Sequence, residues 1–178
     1  MNFAFLAELI LFIIPAYVAN SVPVVFGGGA AIDGGRRFAD GKPVFGASKT
    51  VRGFAAGVAF GALAGVAIAL AAGGNYFSCL GTAGKIFLAA ALSLGAMLGD
   101  LAGSFAKRRF AMRPGAPSLF LDQLPFFFGA MALGALAWPD LAAVIGAEGF
   151  AALAVLTVLL HVAFNFLANK AGLKKVPW

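Results

Sequence analysis

Runs of about twenty apolar residues recur along this chain, and nothing else limits its fold so tightly. A helix crossing bilayer hydrocarbon needs roughly 17–25 such residues, because each advances the axis by about 1.5 Å. Five runs qualify: residues 3–25, 53–72, 85–105, 122–138 and 150–168. The fourth is the shortest and draws length from the segment before it. With 62% hydrophobic and 11% charged residues, the chain has too few charges to cover a water-soluble surface. Its 19 Phe exclude a disordered composition. Continuous rather than alternating apolar runs exclude a β-barrel, and a single cysteine, Cys79, excludes a disulfide framework or a Cys-based zinc site. The first run lacks a basic leader, so it reads as a membrane span and not a removable signal peptide. The expectation is an all-α integral membrane protein, with five transmembrane helices in one domain over residues 1–178.

Basic residues set the expected orientation. Arg36, Arg37, Lys42, Lys49 and Arg52 lie between spans one and two; Lys107, Arg108, Arg109 and Arg113 lie between three and four; Lys170, Lys174 and Lys175 follow span five. Lys85 alone falls on the other side, where Asp140 and Glu148 also lie. By the positive-inside rule, loops 26–52 and 106–121 and the C-terminus are cytoplasmic and the N-terminus is outside. Gly57, Gly61 and Gly65, four residues apart, form a ridge on one helix face that permits close packing inside the chain or in a homodimer.

The two basic loops hold more than orientation requires. The first contains Asn20 and Pro23, Asp33-Gly34-Gly35-Arg36, and Gly46-Ala-Ser48-Lys49-Thr50-Val-Arg52-Gly53. Pro23 breaks or kinks the first span, and an intramembrane Asn20 needs partners. Glycines let backbone approach a ligand, while Lys49, Thr50 and Arg52 immediately precede a helix whose N-terminus favours anions. Phosphate suits this arrangement, although the spacing is not that of a Walker A loop. Read alone, the loop equally fits a basic connection touching anionic headgroups.

The second segment contains Gly99-Asp100-Leu101-Ala-Gly103-Ser104-Phe105-Ala-Lys107-Arg108-Arg109 and, further on, Leu121-Asp122-Gln123-Leu124. A carboxylate inside an apolar helix is costly unless paired, hydrated or metal-bound, which marks Asp100 as functional or as half of an ion pair. Ser104 and Lys107 follow it at helical spacing. Asp100 and Asp122 at one rim, amid cations, suit Mg2+ bound partly through substrate phosphates. His161, with Asn165 one turn on, reads as a packing residue; Glu8 reaches headgroups or a partner, and Trp138 and Trp178 are interface anchors.

In order and spacing these motifs resemble archaeal CDP-archaeol synthase over nearly the whole chain. The later half is also similar to the C-terminal part of bacterial phosphatidate cytidylyltransferase. Departures exist: the bacterial His-Gly-Gly is absent, Gln123 stands where that family has Arg, and Pro125 replaces an acidic residue of many archaeal members. The resemblance implies transfer of CMP from CTP to the phosphate of an unsaturated, prenylated archaeal glycerol ether lipid, with Mg2+ held by Asp100 and Asp122. It implies catalytic roles for Lys49 and Lys107, and substrate contacts at Asn20, Pro23, Asp33, Gly34, Gly46, Ser48, Thr50, Arg52, Ser104, Arg108, Arg109 and Gln123. It also implies a prokaryotic plasma membrane, an active site on the cytoplasmic side and no nucleic-acid polymer as partner. Synthesis of CDP-diacylglycerol, or non-catalytic carriage of phosphate or lipid, are the alternatives. The lack of an internal repeat disfavours the carrier.

Overall fold

In a computed structural model of the protein, described for residues 2–112, 118 and 120–170, the chain is helical throughout its apolar runs. Helix α1 spans Phe3–Ser21, α2 Pro23–Phe26, α3 Val51–Ala72, α4 Thr82–Arg109, α5 Leu124–Ala137 and α6 Leu141–Lys170, with a 3-10 turn at Gly73–Asn75. Among the described residues there is no β-strand. Two isolated bridges, Ala31 with Thr50 and Arg37 with Pro43, fold the first loop back on itself. Four stretches are long and apolar enough to cross a membrane: Phe3–Phe26, Val51–Ala72, Thr82–Arg109 and Leu141–Leu160.

Helices cover three of the expected runs closely, and over the other two the helix bounds differ. The fourth was expected over 122–138, but α5 has only 14 residues, an axial length of about 21 Å against roughly 30 Å of hydrocarbon. Asp122 and Gln123 lie in the turn before it, and Pro125 sits in its first turn, where a missing N–H costs nothing. The fifth, expected over 150–168, begins earlier, at Leu141. Gly146 interrupts it with φ 65° and ψ 173°, a backbone region open essentially only to glycine. Pro23 acts as expected: α1 ends at Ser21 and a single further turn, α2, begins at the proline. Arg113, Lys174, Lys175 and Trp178 lie outside the described residues, as do the side chains of His161 and Asn165.

Glycine decides how the helices meet. The ridge of Gly57, Gly61 and Gly65 is buried inside the chain, between α1 and α4. A methyl group on Gly61 would lie 2.5 Å from Ser93 Oγ and 2.6 Å from the Pro15 carbonyl oxygen. A second series, on α4, receives α5: Gly95 meets Gly129, Gly99 meets the Pro125 carbonyl and Gly103 meets that of Leu121. The two helices therefore run antiparallel at backbone contact, the approach that small residues permit in membranes. Around these seams Leu9, Phe12, Ile13, Leu92, Phe127 and Leu153 form the buried core. A Tyr17–Thr157 hydroxyl pair, 2.9 Å, ties α1 to α6.

Candidate active site

The antiparallel α4–α5 seam brings the two acids of the second segment to one end of the bundle. Leu121 lies against Gly103 and Pro125 against Gly99, so Asp122, in the turn before α5, falls about two residues, or about 3 Å along the α4 axis, from the level of Asp100. Each carboxylate is held by a different lysine. Lys49, from the first loop, donates to Asp100 Oδ2 at 2.5 Å. Lys107, two turns along α4 from Asp100, donates to Asp122 Oδ1. The other oxygen of Asp122 accepts the Ser118 backbone N–H at 2.9 Å. All four side chains keep partial exposure, between 14% and 25%. Ser104 and Arg108 are buried on α4 beside them.

Gln123 follows Asp122 and is fully buried, with neither amide atom hydrogen-bonded. A buried amide left unsatisfied costs about 1–3 kcal/mol, which sets Gln123 apart from the apolar residues around it.

The first loop is shaped by Asp33. Its carboxylate accepts from the backbone N–H groups of Gly35 (3.0 Å), Phe45 (2.9 Å) and Gly46 (2.9 Å). The bond from Gly46, foremost, lowers the Asp33 pKa below the ordinary aspartate value, with burial acting in the opposite direction. Gly46 accommodates this with φ +97°, a conformation that side chains disfavour. Beside it lies a cavity of about 450 Å³ lined by Ile32, Asp33, Gly34, Arg36 and Phe45. The backbone N–H of Ile32 donates to the Lys49 carbonyl at 2.8 Å, so the cavity adjoins the segment whose lysine reaches Asp100.

Several residues of the basic motifs are engaged in holding the fold. Thr50 is the N-cap of α3 and accepts from Gly53 N–H at 3.1 Å, worth about 1 kcal/mol. Arg52 donates to the carbonyls of Phe26 and Gly27 at the end of α2. Arg109 pairs with Asp40 at 2.7 Å and donates to the Pro43 carbonyl at 2.5 Å. Its guanidinium lies over the rings of Phe38 and Phe105, 4.9 and 4.7 Å from their centroids, and the two rings meet edge to face. Lys42 completes this clasp by donating to the Arg109 carbonyl at 2.8 Å. Ser48 is exposed, and Asn20 is half-buried at the end of α1 beside Pro23. Asp40, Phe38 and Lys42 were not singled out from the sequence. The one available signal was Asp40, an acid in an otherwise basic loop.

The geometry has close relatives. The chain matches the CarS-like family, CDP-archaeol synthase, over residues 2–178. It is 44% identical to a CDP-archaeol synthase of Thermococcus gammatolerans over 167 residues, covering 94% of this chain and 93% of the relative. It is 37% identical to that of Methanocaldococcus jannaschii over 182 residues, covering both chains fully. A solved structure of an intramembrane enzyme for archaeal membrane lipid biosynthesis superposes with a TM-score of 0.77 at 38% identity, covering 90% of this chain and 94% of that one. Matched along nearly its entire length in sequence and in fold, the chain belongs to the CDP-archaeol synthase family.

Proposed function

We propose that the protein transfers CMP from CTP to the phosphate of an unsaturated, prenylated glycerol ether lipid, at the basic end of the bundle, which faces the cytoplasm. An oxygen of the lipid phosphate attacks the α-phosphorus of CTP. The bond from that phosphorus to the bridging oxygen breaks, and pyrophosphate leaves with the electron pair. The attacking phosphate is already an anion near neutral pH, its second pKa being about 6, so no strong base is required. Positioning and charge neutralisation are what such a transfer needs.

The observation carrying this reading is the pair of lysine–carboxylate contacts beside the loop cavity, in a chain of this family. Lys49 and Lys107 would turn from their carboxylates to the triphosphate and the developing pyrophosphate. Arg108 and Ser104 would support the same phosphates from α4. The cavity beside Asp33, Gly34 and Arg36 would take the nucleoside, and Asn20 and Gln123 would add polar contacts to substrate. Arg52, Thr50 and Arg109 would contribute by fixing the loop. Prenyl chains would lie along apolar grooves open to the bilayer. One groove, about 480 Å³, runs between α5 and α6 past Phe128, Met131, Ile145 and Phe150.

Mg2+ would be held by Asp100 and Asp122, whose hard carboxylate oxygens lie at the same end of the bundle, with substrate phosphates completing its ligands. When bound there, the ion would neutralise charge on the phosphates.

Purified protein, labelled CTP and Mg2+ with either the prenyl ether phosphate or a diacyl phosphatidate form the test. Pyrophosphate release with the ether lipid is expected. No release with either lipid would leave a carrier, and preference for the ester lipid would make this a CDP-diacylglycerol synthase.

A further inference from the structure

Both acids that would hold a divalent cation are already balanced by a lysine, and the two lysines come from different segments. Lys49 reaches Asp100 from 51 residues away, across the first loop. Lys107 reaches Asp122 across the α4–α5 turn. The two ammonium groups already cancel the two carboxylates, and the Arg108 guanidinium is buried beside them. A divalent ion entering alone would bring two more positive charges into a partly enclosed space whose acids are already balanced. It would also have to displace an ammonium from each carboxylate and leave that ammonium without a partner. A triphosphate removes both obstacles, since its oxygens accept from the lysines and free the acids.

We infer that Lys49 and Lys107 are stand-in cations that bar the metal until nucleotide arrives, so that metal and CTP enter together. They act as positioning residues in this step, by occupying or releasing the acids. The inference rests on the assignment of the metal to Asp100 and Asp122 made above. It predicts an order of binding as well as a set of ligands. A vacant carboxylate pair would load free metal first, whereas this site couples loading to nucleotide. Wasteful occupation by whatever divalent ion is abundant is thereby suppressed.

Equilibrium dialysis of the purified protein in detergent against Mn2+, with and without CTP and with no lipid present, reads this directly. Retained Mn2+ would be measured by its electron paramagnetic resonance signal. Wild-type protein should retain Mn2+ at least roughly tenfold more tightly with CTP than without. The double variant Lys49→Gln/Lys107→Gln should retain Mn2+ without nucleotide, again about tenfold more tightly than wild type. Adding Asp100→Asn to that variant should abolish the gain. Lys49→Arg, which keeps the charge, should still bar free Mn2+. Equal retention by wild type with and without CTP would overturn the gating while leaving the metal ligands intact. So would a double variant that stays folded and gains nothing. No retention under any condition, CTP included, would remove the metal assignment itself and this inference with it.

Discussion

Two cation sites at the same end of the bundle differ in how many partners hold them. Arg109 has an acid, a backbone carbonyl and two aromatic faces as neighbours. Among the described residues, Lys49 and Lys107 are each held by one carboxylate. A guanidinium fixed by several groups loses all of them if it turns to a ligand. An ammonium with one partner exchanges that partner for a phosphate at little cost. All three lie in basic motifs and look alike as letters, yet one is clasped by several groups and two are each paired with a carboxylate.

That contrast can be broken by substitution. The largest effect belongs to the acids. Asp100→Asn and Asp122→Asn should each lower cytidylyl transfer at least about a hundredfold, in protein that still elutes as a folded species from size-exclusion chromatography in detergent. Full turnover by either variant would end the metal assignment. Lys107→Ala should raise the KM for CTP about tenfold, with less effect on thermal stability; unchanged nucleotide kinetics would place Lys107 with the structural cations.

Arg109→Ala should do the reverse, lowering stability by roughly 1–2 kcal/mol and shifting the melting temperature before the KM. Arg109→Lys should restore little, because an ammonium cannot reproduce the fork and the guanidinium's contacts over the Phe38 and Phe105 rings.

The smallest effect concerns Asp33. Its folded pKa is depressed by the amides it accepts from, so its contribution to loop order is complete above the ordinary aspartate value, about 3.9. That contribution is lost as pH falls through the lower, folded value. Protection of the Phe45 and Gly46 amides from hydrogen exchange should decline over that acid interval, and Asp33→Asn should weaken it at all pH values. Equal protection of these amides in wild type and in Asp33→Asn at near-neutral pH would contradict the role.

Much of this was readable from local pattern. Hydropathy revealed the spans because burial in hydrocarbon acts on each run separately, and Gly57, Gly61 and Gly65 announced close packing by spacing alone. Asp100 stood out because an acid in an apolar helix demands a reason. The short α5 and the break at Gly146 were not legible. One depends on where the turn before Pro125 ends, the other on a single glycine adopting a positive φ inside a continuous helical stretch. The clasp of Asp40 on Arg109 spans 69 residues, and no local rule reports a contact of that reach.

What the amino-acid order determined by itself is the class of solvent, the helical form and the inventory of charges at one end, since each follows from composition and spacing within a few turns. Tertiary structure alone decided which cation meets which acid. Lys49, Lys107 and Arg109 carry the same formal charge, and only the path of the first loop over α4 sends one to Asp100, leaves another for Asp122 and locks the third against Asp40. Coulomb attraction falls off with distance and with exposure to water, so pairing is settled by geometry and the sequence lists only the eligible partners.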